Sequence, residues 1–312
     1  MSLESNSLVA ILQDRAHLFK AVRTFFESKG VLEVDTPILS KSAPIDVHID
    51  ILSTQATAAH QGYFHSSPEY GMKKLLAKGL GDIFQLCHVF RQGEVGSYHQ
   101  VEFTMLEWYR TQFSFQELIL ETKALIELFL GPLSYAQVKY SAVLQSTFGI
   151  DAFTTPIAVL KQLTYDLGLQ IDTDDRDVYL SFLWDKAEET LDSNLTCVTH
   201  FPASQAALAK TFEDNNCLYA ARFEFYYKGL ELANGYHELT DPKEQHKRLV
   251  EQNAKRLALG KESLPLDLDF IQALNHLQSQ EFYGVAVGFD RLMMLRHNKD
   301  NIEQILPLGW HS

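Results

Sequence analysis

Apolar residues recur at helical spacing in three long stretches of this chain and alternate at strand spacing in several shorter ones. Leu8, Ile11, Leu12, Leu18, Val22, Phe25 and Phe26 mark a first helix over 7–29, closed by Lys29-Gly30. Val31 to Thr36 reads as a strand that Pro37 stops. Residues 38–60 are polar with short apolar pieces, the pattern of short strands and a loop. Tyr63 to His65 is a strand leading into Ser67-Pro68-Glu69. That tripeptide predicts a helix over Tyr70 to Lys78, with Ser67 as N-cap, Pro68 at the first helical position and Glu69 in the first turn.

Asp82 to Arg91 and Val101 to Arg110 predict two strands joined by a glycine-bearing loop. In the second, Val101, Phe103, Met105, Glu107 and Tyr109 share one face, and Glu102, Thr104, Leu106, Trp108 and Arg110 the other. Neither face is purely polar, so both are expected to be covered. Ser114 to Leu130 predicts an amphipathic helix with Phe115, Leu118, Ile119, Leu125, Ile126 and Phe129 inward. Residues 131–197 hold several short helical patterns and are expected to form a helical insertion. Thr196 to His200, Ala220 to Lys228 and Leu230 to Glu238 predict strands, the last interrupted by the turn signal Asn234-Gly235. Pro242 to Gly260 predicts a charged helix and Asp267 to Leu277 another. Gly284 to Gly288 predicts a strand, after which Asp290-Arg291 opens the last helix.

Composition narrows the class. The 312 residues suffice for one large domain or one domain with an insertion. The formal charge of −13 argues against a duplex-binding surface, weakens the case for tRNA and suits a basic protein partner. Cys87, Cys197 and Cys217 lack paired or metal-ligand spacing, and no HExxH occurs, so neither a disulfide framework nor a zinc site is expected. No signal pattern and no apolar run of about 18 residues is present, which leads to the expectation of a cytoplasmic protein.

Several groups carry candidate chemistry. Phe103, Met105, Glu107 and Tyr109 suit a ligand with a flat apolar part and a cationic part, and Arg91 and Arg110 offer phosphate-binding forks. A salt-bridged amphipathic hairpin is the alternative. Ser67 and Glu69 either line a site or only cap a helix. Glu231 and Glu238 suit magnesium with nucleotide phosphates, or a substrate ammonium. Their alternative is two surface carboxylates flanking a turn, against which the apolar surroundings of Glu231 count. Asp172, Asp174, Asp175 and Asp177 lack the glycine and distal Glu of a calcium loop and read as a solvated turn. Arg291 opens a helix N-terminus that attracts phosphate, and Gly288 lets a flat ring approach the backbone.

The stretch through Pro37, Phe90-Arg91 to Phe103, and Gly284 to Arg291 together resemble the three signature motifs of class II aminoacyl-tRNA synthetases. SSPEYGMKKLLAKG, VEFTMLEWY and GLELANGYHELTDP are similar to the lysyl branch. FPASQAALA and LANGYHELTD resemble its short paralogue family, the lysyl-tRNA synthetase paralogues that attach β-lysine to a lysine of bacterial translation elongation factor P. Only about 35 residues precede Pro37, so no anticodon-binding OB-fold is expected. Ala286, where the third motif usually has glycine, matches the paralogue form and reshapes the amino-acid pocket.

The resemblance implies an α+β fold: a six-stranded antiparallel sheet flanked by helices, in a homodimer whose interface includes the first motif. It implies ATP and Mg2+, with Arg91 on the α-phosphate, Arg291 on the γ-phosphate and Phe103 stacked on adenine. Gln92, Gly93, Gln100, Leu232 and Gly288 would complete the ATP site. Glu231 and Glu238 would hold magnesium, Glu238 also lying near the substrate amine. Ser67, Pro68, Glu69, Glu107, Tyr109 and Ala286 would form the pocket for lysine or β-lysine. The protein acceptor would be elongation factor P, with no tRNA and no membrane involved. Two departures stand out. The usual Arg-x-Glu of the second motif is here Arg91-Gln92-Gly93-Glu94, and Gln100-Val101 replaces Asn-Pro. The alternatives are a truncated synthetase acting on tRNA and a regulatory paralogue that only binds ATP or an amino acid.

Overall fold

The computed structural model describes residues 7–309. They form two compact units, one made by the chain up to Gly131 and from Leu239 onward, the other by Pro132–Glu238. The first opens with α1 (Leu8–Glu27), β1 (Leu32–Glu33), β2 (Leu39–Ser40), β3 (Ser53–Thr57), β4 (His60–Phe64) and α2 (Glu69–Leu76). β5 (Ile83–Phe90), β6 (Glu102–Arg110) and α3 (Phe115–Leu130) follow. The second unit holds β7 (Tyr135–Lys139), α4 (Tyr140–Phe148), α5 (Ile157–Asp166), α6 (Arg176–Ala187), β8 (Leu195–Pro202), β9 (Thr211–Asp214), β10 (Cys217–Tyr227) and β11 (Leu230–His237). The first unit resumes with α7 (Pro242–Ala258), α8 (Leu268–Leu274), β12 (Tyr283–Gly288) and α9 (Phe289–Arg296).

The hairpin is as expected: β5 and β6 pair antiparallel, with Leu86 opposite Leu106. β12 pairs antiparallel with the far edge of β6, and β1 lies parallel to β5. Both faces of β6 are covered. On one, Phe26 of α1 stacks on Phe84 at 4.6 Å and lies 5.2 Å from Trp108, whose Nε1 donates to Glu121 of α3. Arg110 points the same way. It is buried, 3.0 Å from Asp82 and 3.4 Å from Glu121, with its guanidinium 4.0 Å from the Phe113 ring. Its expected phosphate role is thereby corrected: its charge is spent inside the unit. α3 starts with a capping box between Ser114 and Glu117. α9 is tied back by buried Asp290, which accepts from Arg15 of α1 at 2.5 Å and from the Thr104 N–H at 2.7 Å.

The second unit pairs β11, β10, β8 and β7 in that order, with β9 on the other end of β10 and β7 parallel to β8. Tyr140, Leu144, Leu160, Leu183 and Trp184 pack α4, α5 and α6 into one core with Val198 and Tyr226 of the strands. The three helices fall within 131–197, but the compact unit continues to Glu238. The antiparallel runs β5-β6-β12 of the first unit and β11-β10-β8 of the second supply the six strands expected; β9 also pairs antiparallel with β10, and β2-β4-β3 form a separate antiparallel sheet. The strand at β1 was expected, but its parallel pairing and the strand β7 were not.

Asn234-Gly235 is not a turn. Both residues sit inside β11, paired with Glu224 and Phe223. Glycine is required because a Cβ at 235 would lie 2.3 Å from the Phe223 ring. The irregularity of this strand lies instead at Phe225/Tyr226, where the register skips Leu232.

Candidate active site

The face of β6 opposite Trp108 carries Met105, Glu107 and Tyr109. β12 sets small residues beside them: Gly288 opposite Met105, Ala286 opposite Glu107 and Gly284 opposite Tyr109. Glu107 is 3% exposed and accepts two short hydrogen bonds, from Ser67 Oγ at 2.6 Å and from the Tyr109 hydroxyl at 2.6 Å. Burial and then the charge of Glu69 push its carboxyl up to about 7, against the pull of those two donors and of Lys73. Ser67, Glu69, Glu107 and Tyr109 therefore form one cluster. α2 begins at Glu69, with Pro68 at the N-cap. Ser67 is thus not the cap, and Pro68 precedes the first helical position. Ser67 does accept from the Glu69 N–H at 3.0 Å, so the capping and site readings are both served by one hydroxyl.

A second group surrounds the β5–β6 loop. The Arg91 guanidinium lies 5.0 Å from the Phe103 ring, and its buried Nε has no hydrogen-bond partner among the described residues. Glu94 reaches back to within 3.8 Å of Arg91. It does so because Gly93 turns the chain at φ +79°, a conformation that disfavours a side chain. Gln92 is exposed, its N–H donating to the Asp50 carbonyl. Arg291, in the first turn of α9, meets His99 Nε2 at 2.6 Å. Gln100 is buried, and its amide donates to Glu303 at 3.2 Å.

Glu231, Leu232 and Glu238 belong to the second unit. Glu231 lies opposite Tyr226, and its charge helps raise the buried Glu224 carboxyl, after burial itself. Glu224 also accepts from Arg222, from the Tyr226 hydroxyl and from Asn234 Nδ2. Trp184 Nε1 donates to the Tyr226 hydroxyl at 2.8 Å. Leu232 is buried, and Glu238 forms an isolated bridge with Ala209. No group of three or more His, Cys, Asp or Glu side chains could hold a metal among the described residues.

Sequence reasoning missed His99, Lys73, and the Arg222-Glu224-Tyr226 row. The last had a usable signal: charged and phenolic residues at every second position beside Phe223 and Phe225 mark a polar face on a buried strand. Lys73 had a local signal in its spacing of four from Glu69, though none for its burial; His99 had none, since Arg291 is brought to it by folding.

The model of the tRNA synthetases class II (D, K and N) family matches residues 1–310. An elongation factor P–(R)-β-lysine ligase from Actinobacillus succinogenes is 42% identical over 309 residues, covering 96% of this chain and 95% of that protein. Proteins of the same name from Pseudoalteromonas translucida and Haemophilus ducreyi are each 40% identical, covering 96% of this chain and 94% of theirs. No described helix is long and apolar enough to cross a membrane. By full-length match and identity, the chain belongs to the class II tRNA synthetase family, and within it to the elongation factor P–(R)-β-lysine ligases.

Proposed function

We propose that this chain activates (R)-β-lysine with ATP and transfers it to a specific lysine of translation elongation factor P, without tRNA. The observation that carries this reading is the buried Ser67-Glu69-Glu107-Tyr109 cluster in a chain whose relatives bear that name. Carboxylates in a closed pocket select a cationic group, because leaving them unpaired is costly. The substrate carboxylate attacks the α-phosphorus of ATP and pyrophosphate leaves. The acceptor amine then attacks the carbonyl carbon of the adenylate, and AMP leaves. Neither step needs a protein nucleophile; both need positioning and charge neutralisation.

Arg91 would neutralise the α-phosphate, Arg291 with His99 the γ-phosphate, and Phe103 would stack on adenine. The unspent Arg91 Nε suits an anion. Gln92, Gly93, Leu232 and Gly288 would line ATP, and Gln100 would act by fixing its loop. Pro68 and Ala286 would shape the amine pocket. Glu231 and Glu238 fit Mg2+ by their donor chemistry. This hard cation is commonly held by one or two carboxylates plus substrate phosphates, where it neutralises phosphate charge. A homodimer working in the cytoplasm, where its acceptor acts, completes the reading.

The test is amino-acid-dependent ATP–pyrophosphate exchange without tRNA, comparing (R)-β-lysine, (S)-β-lysine and L-α-lysine, followed by the mass of elongation factor P. Exchange should be strongest with (R)-β-lysine and the acceptor should gain one β-lysyl group. Arg291→Ala should abolish exchange and keep its circular dichroism. Exchange with α-lysine alone, together with acylated tRNA, would replace this reading by a truncated synthetase. Tight ATP binding without turnover would replace it by a regulatory paralogue.

A further inference from the structure

α2 carries a lysine that the proposed chemistry does not use. The Lys73 side chain is 2% exposed, and its Nζ stands 2.5 Å from Glu69 Oε1. A buried ammonium is tolerated only where negative charge surrounds it. α2 contributes Glu69, while its Lys74 is turned away to Asp267 at 2.6 Å. β6 contributes Glu107 and Tyr109, the segment before α2 contributes Ser67, and the Phe270 ring of α8 lies 6.0 Å from Nζ. From β5 comes Cys87, whose thiol is pushed up to about 12 by burial first and then by Glu107. The ammonium thus pairs with Glu69, and its charge also acts on Glu107. With both ionised, one negative charge is left over, the charge of a single substrate amine.

We propose that Lys73 is a specificity-determining positioning residue. It holds Glu69 by one oxygen and cancels one of the two carboxylate charges, so that the pocket takes up one ammonium group instead of a proton. The inference rests on reading this cluster as the amine site. Without Lys73 the two carboxylates repel each other unrelieved, and the cheapest relief is a proton shared between them. A pocket neutralised that way has lost the charge that selects an amine.

The variants are Lys73→Met, which keeps the stem and removes the charge, and the double variant Glu69→Gln/Lys73→Met. The first readout needs no ligand: thermal unfolding midpoints between about pH 5 and pH 8. Relative to wild type, Lys73→Met should lose stability more steeply as pH rises, and the double variant should lose that added slope. An equal loss at every pH, or a steep slope that survives in the double variant, would overturn the proposal. So would failure of both variants to fold. If only Lys73→Met fails to fold, recovery of folding in the double variant supports charge as the cause. The second readout is calorimetric binding. At pH 7, L-lysine and (R)-β-lysine should bind Lys73→Met roughly tenfold more weakly, about one pK unit of lost charge, with ATP affinity unchanged. If wild type binds neither amino acid at any pH, the amine-site reading falls, and the unfolding series still decides whether Lys73 sets the charge.

Discussion

Glu107 accepts hydrogen bonds on both oxygens, yet burial and then the charge of Glu69 push its carboxyl up to about 7 from its ordinary 4.5. The folded state therefore binds more protons than the unfolded chain between those values. In the ligand-free protein this carboxyl's contribution to stability falls as pH rises through that window. Two outcomes are expected. The kcat/KM for the amine substrate should show an acid limb near pH 7 that is absent in Glu107→Gln, whose activity is much lower throughout. Urea unfolding of ligand-free Glu107→Gln should also lose the stability change between pH 4.5 and 7. Glu107 was legible in the sequence because strand alternation alone set it beside Met105 and Tyr109. Lys73 was less so: Glu69 stands one helical turn before it, but Lys73-Lys74 on a helix looks like a solvated pair, and β6 and α8, which surround the first of them, are distant in sequence. Arg110 was misread for the same reason, since Asp82 and Glu121 reach it only once the strands and α3 have packed.

At the scale of elements, helices were easier to read than strands. α1, α3 and α7 have periodic stripes and local caps, such as Ser114 for α3 and Asp241 for α7. Strand partners are distant, and the same dipeptide has two meanings. Asn-Gly signals a hairpin turn when flanked by its own partner strand, but in β11 Gly235 is the gap into which the Phe223 ring fits. Gly235→Ala should therefore destabilise the protein by about 2 kcal/mol or more, as overpacking a filled site does. Chemical denaturation would measure it, and adding Phe223→Leu should recover part of the loss. A neutral Gly235→Ala would mean that the ring moves aside freely. The extent of the second unit was illegible for a related reason: β7 pairs with β8 and β8 with β10, across long sequence separations that leave no local mark.

The whole molecule was legible mainly through three motifs in order, which all fall in the first unit yet nearly span the chain, because that unit is made of its two ends. Composition alone gave only an acidic globular protein. The acidic balance of −13 sits poorly with tRNA and fits a protein acceptor better. The first unit also leaves Leu8, Val9, Leu32, Ile38 and Leu39 exposed, all in or near the motif whose resemblance implies a subunit interface. Light scattering should give the mass of a dimer. The paired substitution Leu32→Lys with Leu39→Lys should shift it to a monomer without changing the helical circular dichroism. A wild-type monomer at micromolar concentration would remove the dimer from the proposed function.

The turn at Gly93 has a consequence for what this loop tolerates. The loop brings its carboxylate to Arg91 from position 94, through a backbone with φ +79° at 93. Placing Glu at 93 alone would force a side chain into a left-handed conformation, at a cost of roughly 1–2 kcal/mol. Removing Glu94 alone would leave Arg91 without its nearest counter-charge. Each single substitution is penalised, for a different reason. Positions 93 and 94 are therefore coupled: the backbone of one sets which carboxylate reaches Arg91, and neither is exchanged without the other being felt.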